Sequence, residues 1–188
     1  MIDGIEAALL AAGSEPKSKT FVRAWLGWRG ERSLPLRSKL DLVDVKPLLR
    51  LVMLTEVRGP DEIMVRVCGT QLSEYLGFEL TGRDLLALTP PADRPIRRYR
   101  FREMAGRPCG AVFQHHHVMP SGRLYPSEVI MLPIDPDDPA KPRLLMHNFA
   151  PLRGQFTSKA VPDGQAVPLS HDFRFLDIGF GIPDSTAP

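Results

Sequence analysis

Two tight turns constrain this chain more than any other feature. Gly59-Pro60-Asp61 separates an apolar run over 51–57 from another over 62–68, and Pro120-Ser121-Gly122 separates 111–119 from 123–134. Connections this short return a strand antiparallel to its neighbour, because a parallel crossover needs about a dozen residues or more. A Pro- and Asp-rich connection over 135–142 then leads to a further strand over 143–150. Helical signals lie between the hairpins: a short one over 71–76 stopped by Gly77, and a longer one over 92–105 ended by Gly106 and Pro108. Two strands, helical pieces and three strands give an α+β class rather than a parallel α/β one.

Two more helices precede this core. Ile2, Ile5, Leu9 and Ala12 recur at helical spacing before Gly13, and Phe21, Trp25 and Trp28 form one stripe of a helix over 19–29. A helix carrying both tryptophans of the chain must bury that stripe. The strand over 143–150 supplies a place for it. Leu144 and Met146 fall on one parity and Leu145 and Phe149 on the other, so both faces of the sheet are expected to be covered, the outer one by the Trp-bearing helix or a second subunit.

Composition narrows the function classes. At 188 residues with 43% hydrophobic and 24% charged side chains, the chain is one globular domain with extensions. The longest apolar run, Ala7 through Ala12, is far short of the ~20 residues that span a bilayer, and no basic start precedes it. The cytoplasm is the expected address. A net charge of +2 does not call for nucleic acid. Two cysteines, Cys68 and Cys109, are too few for a disulfide framework or a thiolate cage and are expected to be buried, inert thiols.

The element order, together with Gly69-Thr70-Gln71-Leu72-Ser73-Glu74-Tyr75-Leu76-Gly77 and Thr81-Gly82-Arg83-Asp84-Leu85, resembles a PAS domain. The stretch with Trp25, Trp28, Arg29-Gly30 and Leu34-Pro35, and the late segment from Phe175 to Pro183, are similar to a bacterial group of stand-alone PAS proteins. The resemblance implies a five-stranded antiparallel sheet with helices on one face and an N-terminal helical extension, used for sensing rather than chemistry. It divides the chain into an extension over 1–45, a core over 46–152 and a C-terminal extension over 153–188. It also implies a homodimer, since leading helices of such proteins pack between subunits. The cysteine of adduct-forming flavin domains is missing from Leu88-Thr89-Pro90-Pro91, and the long helix carries no histidine for haem, so no cofactor is named.

Several constellations carry candidate chemistry. In His115-His116-His117, the outer two share one strand face. With His147, and Glu128 as a fourth group, they present the donor types of a zinc or iron site. The plainer reading is that they line a pocket or make polar contacts. Arg94, Arg98 and Arg102 recur at four-residue spacing and form a basic stripe, either a surface for an anionic partner or a solvated face opposite Ile96, Tyr99 and Met104. No nucleophile elbow, phosphate loop or metalloprotease helix is present, so no catalytic residue is named.

The leading expectation is therefore a non-enzymatic sensory or regulatory protein in bacterial signalling that binds a small molecule, a partner protein or both. Its pocket is expected to be lined by Tyr75, Leu76, Phe78, Ile96, Tyr99, Phe113, His115 and His117. The alternatives are a metal-dependent enzyme using His115, His117 and His147, and a ligand-free adaptor that holds an acidic partner on its basic helix.

Overall fold

Strand parity sorts the apolar side chains of this chain onto two faces, and each face has its own core. The computed structural model describes residues 2–152 and 166–184. Helices α1 (Ile2–Ala12) and α2 (Pro16–Arg29) come first, with Pro16 in the first turn of α2, where a missing N–H costs nothing. Strands β1 (Val52–Arg58) and β2 (Glu62–Cys68) form the first hairpin around Gly59, whose φ of 60° suits glycine. Helix α3 (Thr70–Leu76) ends on Gly77 in the left-handed conformation, and α4 (Arg94–Gly106) follows a single 3-10 turn. Strands β3 (Gly110–Val118), β4 (Leu124–Ile134) and β5 (Leu144–Pro151) make the second antiparallel unit.

The sheet order is β2-β1-β5-β4-β3-β6, antiparallel at every pairing. The sixth strand, β6 (His171–Leu176), corrects the expected count of five. It adds to the outer edge of β3 through Gly110↔Leu176 and Ala111↔Phe175, with a bulge between Val112 and Gln114. Its sequence, His-Asp-Phe-Arg-Phe-Leu, alternates polar and aromatic residues, but it is short and distant in sequence from the strand it pairs with. Of the expected C-terminal extension, 153–165 and 185–188 lie outside the described residues.

On the inner face, Met53, Ala111, Phe113, Val129, Met131, Leu145 and Phe149 pack against α3, α4 and the segment around Leu80 to Leu86. On the outer face, Val52, Val112, Ile130, Leu132, Leu144 and Met146 pack against Leu9, Phe21, Val22, Trp25 and Trp28. The Trp-bearing helix thus supplies the outer cover from within the same chain. Trp25 is fully buried, and its indole Nε1–H donates to the Pro133 carbonyl at 2.9 Å; that of Trp28 donates to Asp44 at 2.8 Å. Glu128, an outer-face residue of β4, accepts from the Ser14 hydroxyl at 2.6 Å and from the backbone N–H groups of Ser14 and Glu15. It thereby pins the joint between α1 and α2 to the sheet.

Gly69 joins β2 to α3 by passing close beneath the turn before β1. Its N–H donates to Val52 O at 2.8 Å, and a Cβ there would lie 2.5 Å from the Arg50 backbone. Backbone cannot swing aside as a side-chain tip can, so Gly69→Ala is expected to cost about 1–3 kcal/mol, the usual range for overpacking. Urea unfolding midpoints check this, and an unchanged midpoint would contradict the close approach.

Candidate functional site

Between the inner sheet face and α4 lies a cavity of about 60 Å³. Since one water needs roughly 10–15 Å³ by this measure, there is room for a compact molecule or a handful of waters. Its sheet wall carries Met53 from β1, Phe113, His115 and His117 from β3, Met131 from β4, and His147 and Phe149 from β5. Cross-strand register makes neighbours of these residues: Met131↔His147, Val129↔Phe149 and Met53↔His147. Helix α3 contributes Leu72 and Leu76, and α4 contributes Arg97, Arg100 and Phe101. Val167, Leu169 and Ser170, just before β6, and Phe173 within it, complete the lining.

Three histidines stand on this wall, each almost wholly buried. Burial holds His117 and His147 down at about 3 and His115 well below the ordinary 6.5, so all three are neutral at physiological pH. His147 Nε2 lies 2.9 Å from the Thr55 hydroxyl. The His115 and His117 rings meet edge to face at 4.7 Å, and His117 also packs against Phe149 at 5.2 Å and Tyr75 at 5.6 Å. Among the described residues neither ring nitrogen of His117 has a hydrogen-bond partner.

The opposite wall is cationic. Arg97, 6% exposed, donates to the Thr89 hydroxyl, to Val167 O at 3.0 Å and to Pro168 O at 2.5 Å. Desolvation lowers its pKa to about 10, with Asp93 opposing and Arg100 adding to the shift. Arg100 donates to Ser170 Oγ at 3.1 Å and stacks its guanidinium 4.0 Å over the Phe173 ring. These two arginines tie the 167–170 segment across the cavity.

Of the expected lining, Leu76, Phe113, His115 and His117 are on the cavity wall. Tyr75 stands behind it, its ring 4.3 Å from Tyr125, and Phe78 packs on the inner core under Arg83. Ile96 and Tyr99 correct the reading: both are half-buried and away from the cavity, with the Tyr99 hydroxyl donating to Asp184 O at 2.7 Å. Helix α4 is rotated so that Arg97, Phe101 and Met104 are its buried residues. Arginine is ordinarily a surface residue, and that rule hid the inward face. The spacing of 97, 101 and 104 was the available signal.

The basic stripe is also partly spoken for. Arg94 donates to Thr89 O and Ala87 O, Arg98 pairs with Asp61 at 2.8 Å, and Arg102 is exposed. Glu128 does not join His115, His117 and His147, because it has the opposite parity and sits on the outer face beneath Ser14. Among the described residues no three His, Cys, Asp or Glu side chains form a metal-holding group. Cys68 and Cys109 are pushed up by burial to about 11 and about 12, which makes them poor thiolates.

Fold and site together define an α+β module built around an internal cavity, with helices on both faces of one antiparallel sheet. A family model described as a PAS domain matches residues 14–146. The chain belongs to the PAS family, which supports a sensory or regulatory role. Among solved structures, a chain from a study of a fungal LOV-domain photoreceptor matches at 16% identity, covering 62% of this chain and 94% of that one with a TM-score of 0.40. At that level the likeness carries no functional argument. Among curated proteins nothing matches. No helix among the described residues is long and apolar enough to cross a membrane.

Proposed function

We propose that this chain is a non-enzymatic, cytoplasmic sensory protein of bacterial signalling that binds a small molecule in the inner cavity and reports it to a partner protein. The core over 46–152 would hold the ligand, closed in by Val167 to Phe173 of the extension over 153–188, and the extension over 1–45, acting in a homodimer, would carry the output. The observation that carries this reading is a shared wall. The strands whose odd-numbered residues line the cavity grip the α1–α2 pair with their even-numbered ones: Met131 and His147 face in, and Ile130 and Met146 face Trp25's side. A ligand that prefers one arrangement of the inner face would therefore bias the seating of α2, a population shift rather than a chemical step.

The test is native mass spectrometry of the freshly purified, untagged chain, paired with its ultraviolet–visible spectrum. The expected result is a dimer carrying a non-covalent mass excess that is lost on denaturation. Bare mass in every charge state would favour the adaptor reading, in which the cavity is merely loose packing.

A further inference from the structure

Cavity charge and cavity polarity point in the same direction. Two guanidiniums, Arg97 and Arg100, lie one helical turn apart on the same wall, and among the described residues no carboxylate lines the cavity with them. Among the described residues neither arginine has an ion-pair partner. Among the described residues Arg97 donates to neutral acceptors, one hydroxyl and two backbone carbonyls. These satisfy its N–H geometry without pairing the charge, on which Asp93 acts without an ion-pair contact, a costly condition for a cation this deeply buried. At the sheet wall His117 presents the complementary need. Neutral imidazole carries one donor and one acceptor, and among the described residues both ring nitrogens of this 2%-exposed side chain lack partners. Phe113, Met131 and Phe149 supply the apolar surface of the same cavity.

We infer that the cavity takes a compact monocarboxylate with an apolar body, its carboxylate at Arg97 and Arg100 and a second polar group, a hydroxyl or carbonyl, at His117. This deepens the small-molecule reading above and rests on it. Guanidinium and carboxylate match in geometry as a two-pronged pair, and the hydrogen bonds are charge-assisted. An amide of the same shape keeps the apolar contacts and forfeits the charge.

Isothermal titration of the full chain with benzoate, 4-hydroxybenzoate and hexanoate, against benzamide and hexanamide, tests the inference. Acids are expected to bind at least ~10-fold tighter than their amides, the scale of one charge-assisted hydrogen bond. The 4-hydroxyl is expected to add affinity that His117→Phe removes while leaving benzoate binding in place. Arg100→Gln, at the half-buried arginine, is expected to weaken acids by ~10-fold or more and leave amides unchanged. Arg97→Lys serves as the second variant, keeping charge while losing the fork. Equal binding of acids and amides, or acid binding indifferent to Arg100→Gln, overturns the inference. Failure of every acid beside a neutral mass excess in the purified chain overturns the ligand class and leaves the small-molecule reading standing. Failure of every acid and amide with no mass excess overturns both.

Discussion

Lowering the pH through 6.5 is expected to destabilise this protein steeply, well before its carboxylates titrate. The cause is the set of neutral histidines on the cavity wall. Burial holds His117 and His147 at about 3 and His115 well below 6.5, whereas in the unfolded chain each protonates near 6.5. Between those limits the unfolded state binds more protons than the folded one, so stability is fully present above 6.5 and is lost as the pH falls. Each histidine contributes a slope approaching ~1.4 kcal/mol per pH unit, and three together approach ~4 kcal/mol per unit. Two units below 6.5 would thus remove about 8 kcal/mol, enough to unfold a domain in the lower half of the usual range of roughly 5–15 kcal/mol.

Glu56, held down by its hydrogen bond from Arg58, adds a loss only below its ordinary 4.5. So does Glu128, where burial works upward but is outweighed by the Ser14 hydroxyl and the N–H groups of Ser14 and Glu15. The window from 6.5 to 4.5 therefore reports the histidines. Urea unfolding at pH 7.5, 6.5 and 5.5 measures the slope, and His117→Phe should reduce it by about one proton, as linkage requires for one removed site. A slope unchanged by that substitution would place the acid sensitivity elsewhere.

The second large effect concerns the outer face. Trp25→Ala removes a fully buried indole from between α2 and the sheet and leaves the Pro133 carbonyl without its donor. Aromatic-to-alanine truncation in a core costs about 3–5 kcal/mol. Trp25→Phe keeps most of the packing and loses chiefly the hydrogen bond, for about 1 kcal/mol. The ranking Ala far below Phe, read from denaturation midpoints, is the expected result. A cost for Trp25→Ala below about 1 kcal/mol, the level of a surface change, would mean that α2 is not the structural cover of the sheet.

Much of this arrangement was legible in the residues. The two tight turns fixed antiparallel hairpins, and Leu144/Met146 against Leu145/Phe149 announced that both faces would be covered. The parity rule also put His115 and His117 on one strand face, and that face is the one toward the cavity. Three things were hidden, each for a physical reason. The orientation of α4 turned on a buried arginine, whose cost is offset by carbonyls near 167–168, some seventy residues downstream. Strand β6 is too short to declare itself locally and exists because the free edge of β3 offers it a ladder. Glu128 looked like a fourth ligand by residue type, but alternation along β4 sends it to the other face, where it anchors α1 to α2.

Hydrogen–deuterium exchange on the chain as purified and after stripping of bound small molecules tests the central claim most directly. If the cavity is the ligand site, removal should speed exchange in α4 around Arg97 to Phe101 and at the Val167 amide, which donates to Leu88 O. A smaller change in α2, across the sheet, should accompany it. Identical exchange in the two samples, or changes confined to surfaces away from α4 and 167–170, would contradict the assignment of this cavity as the sensing site.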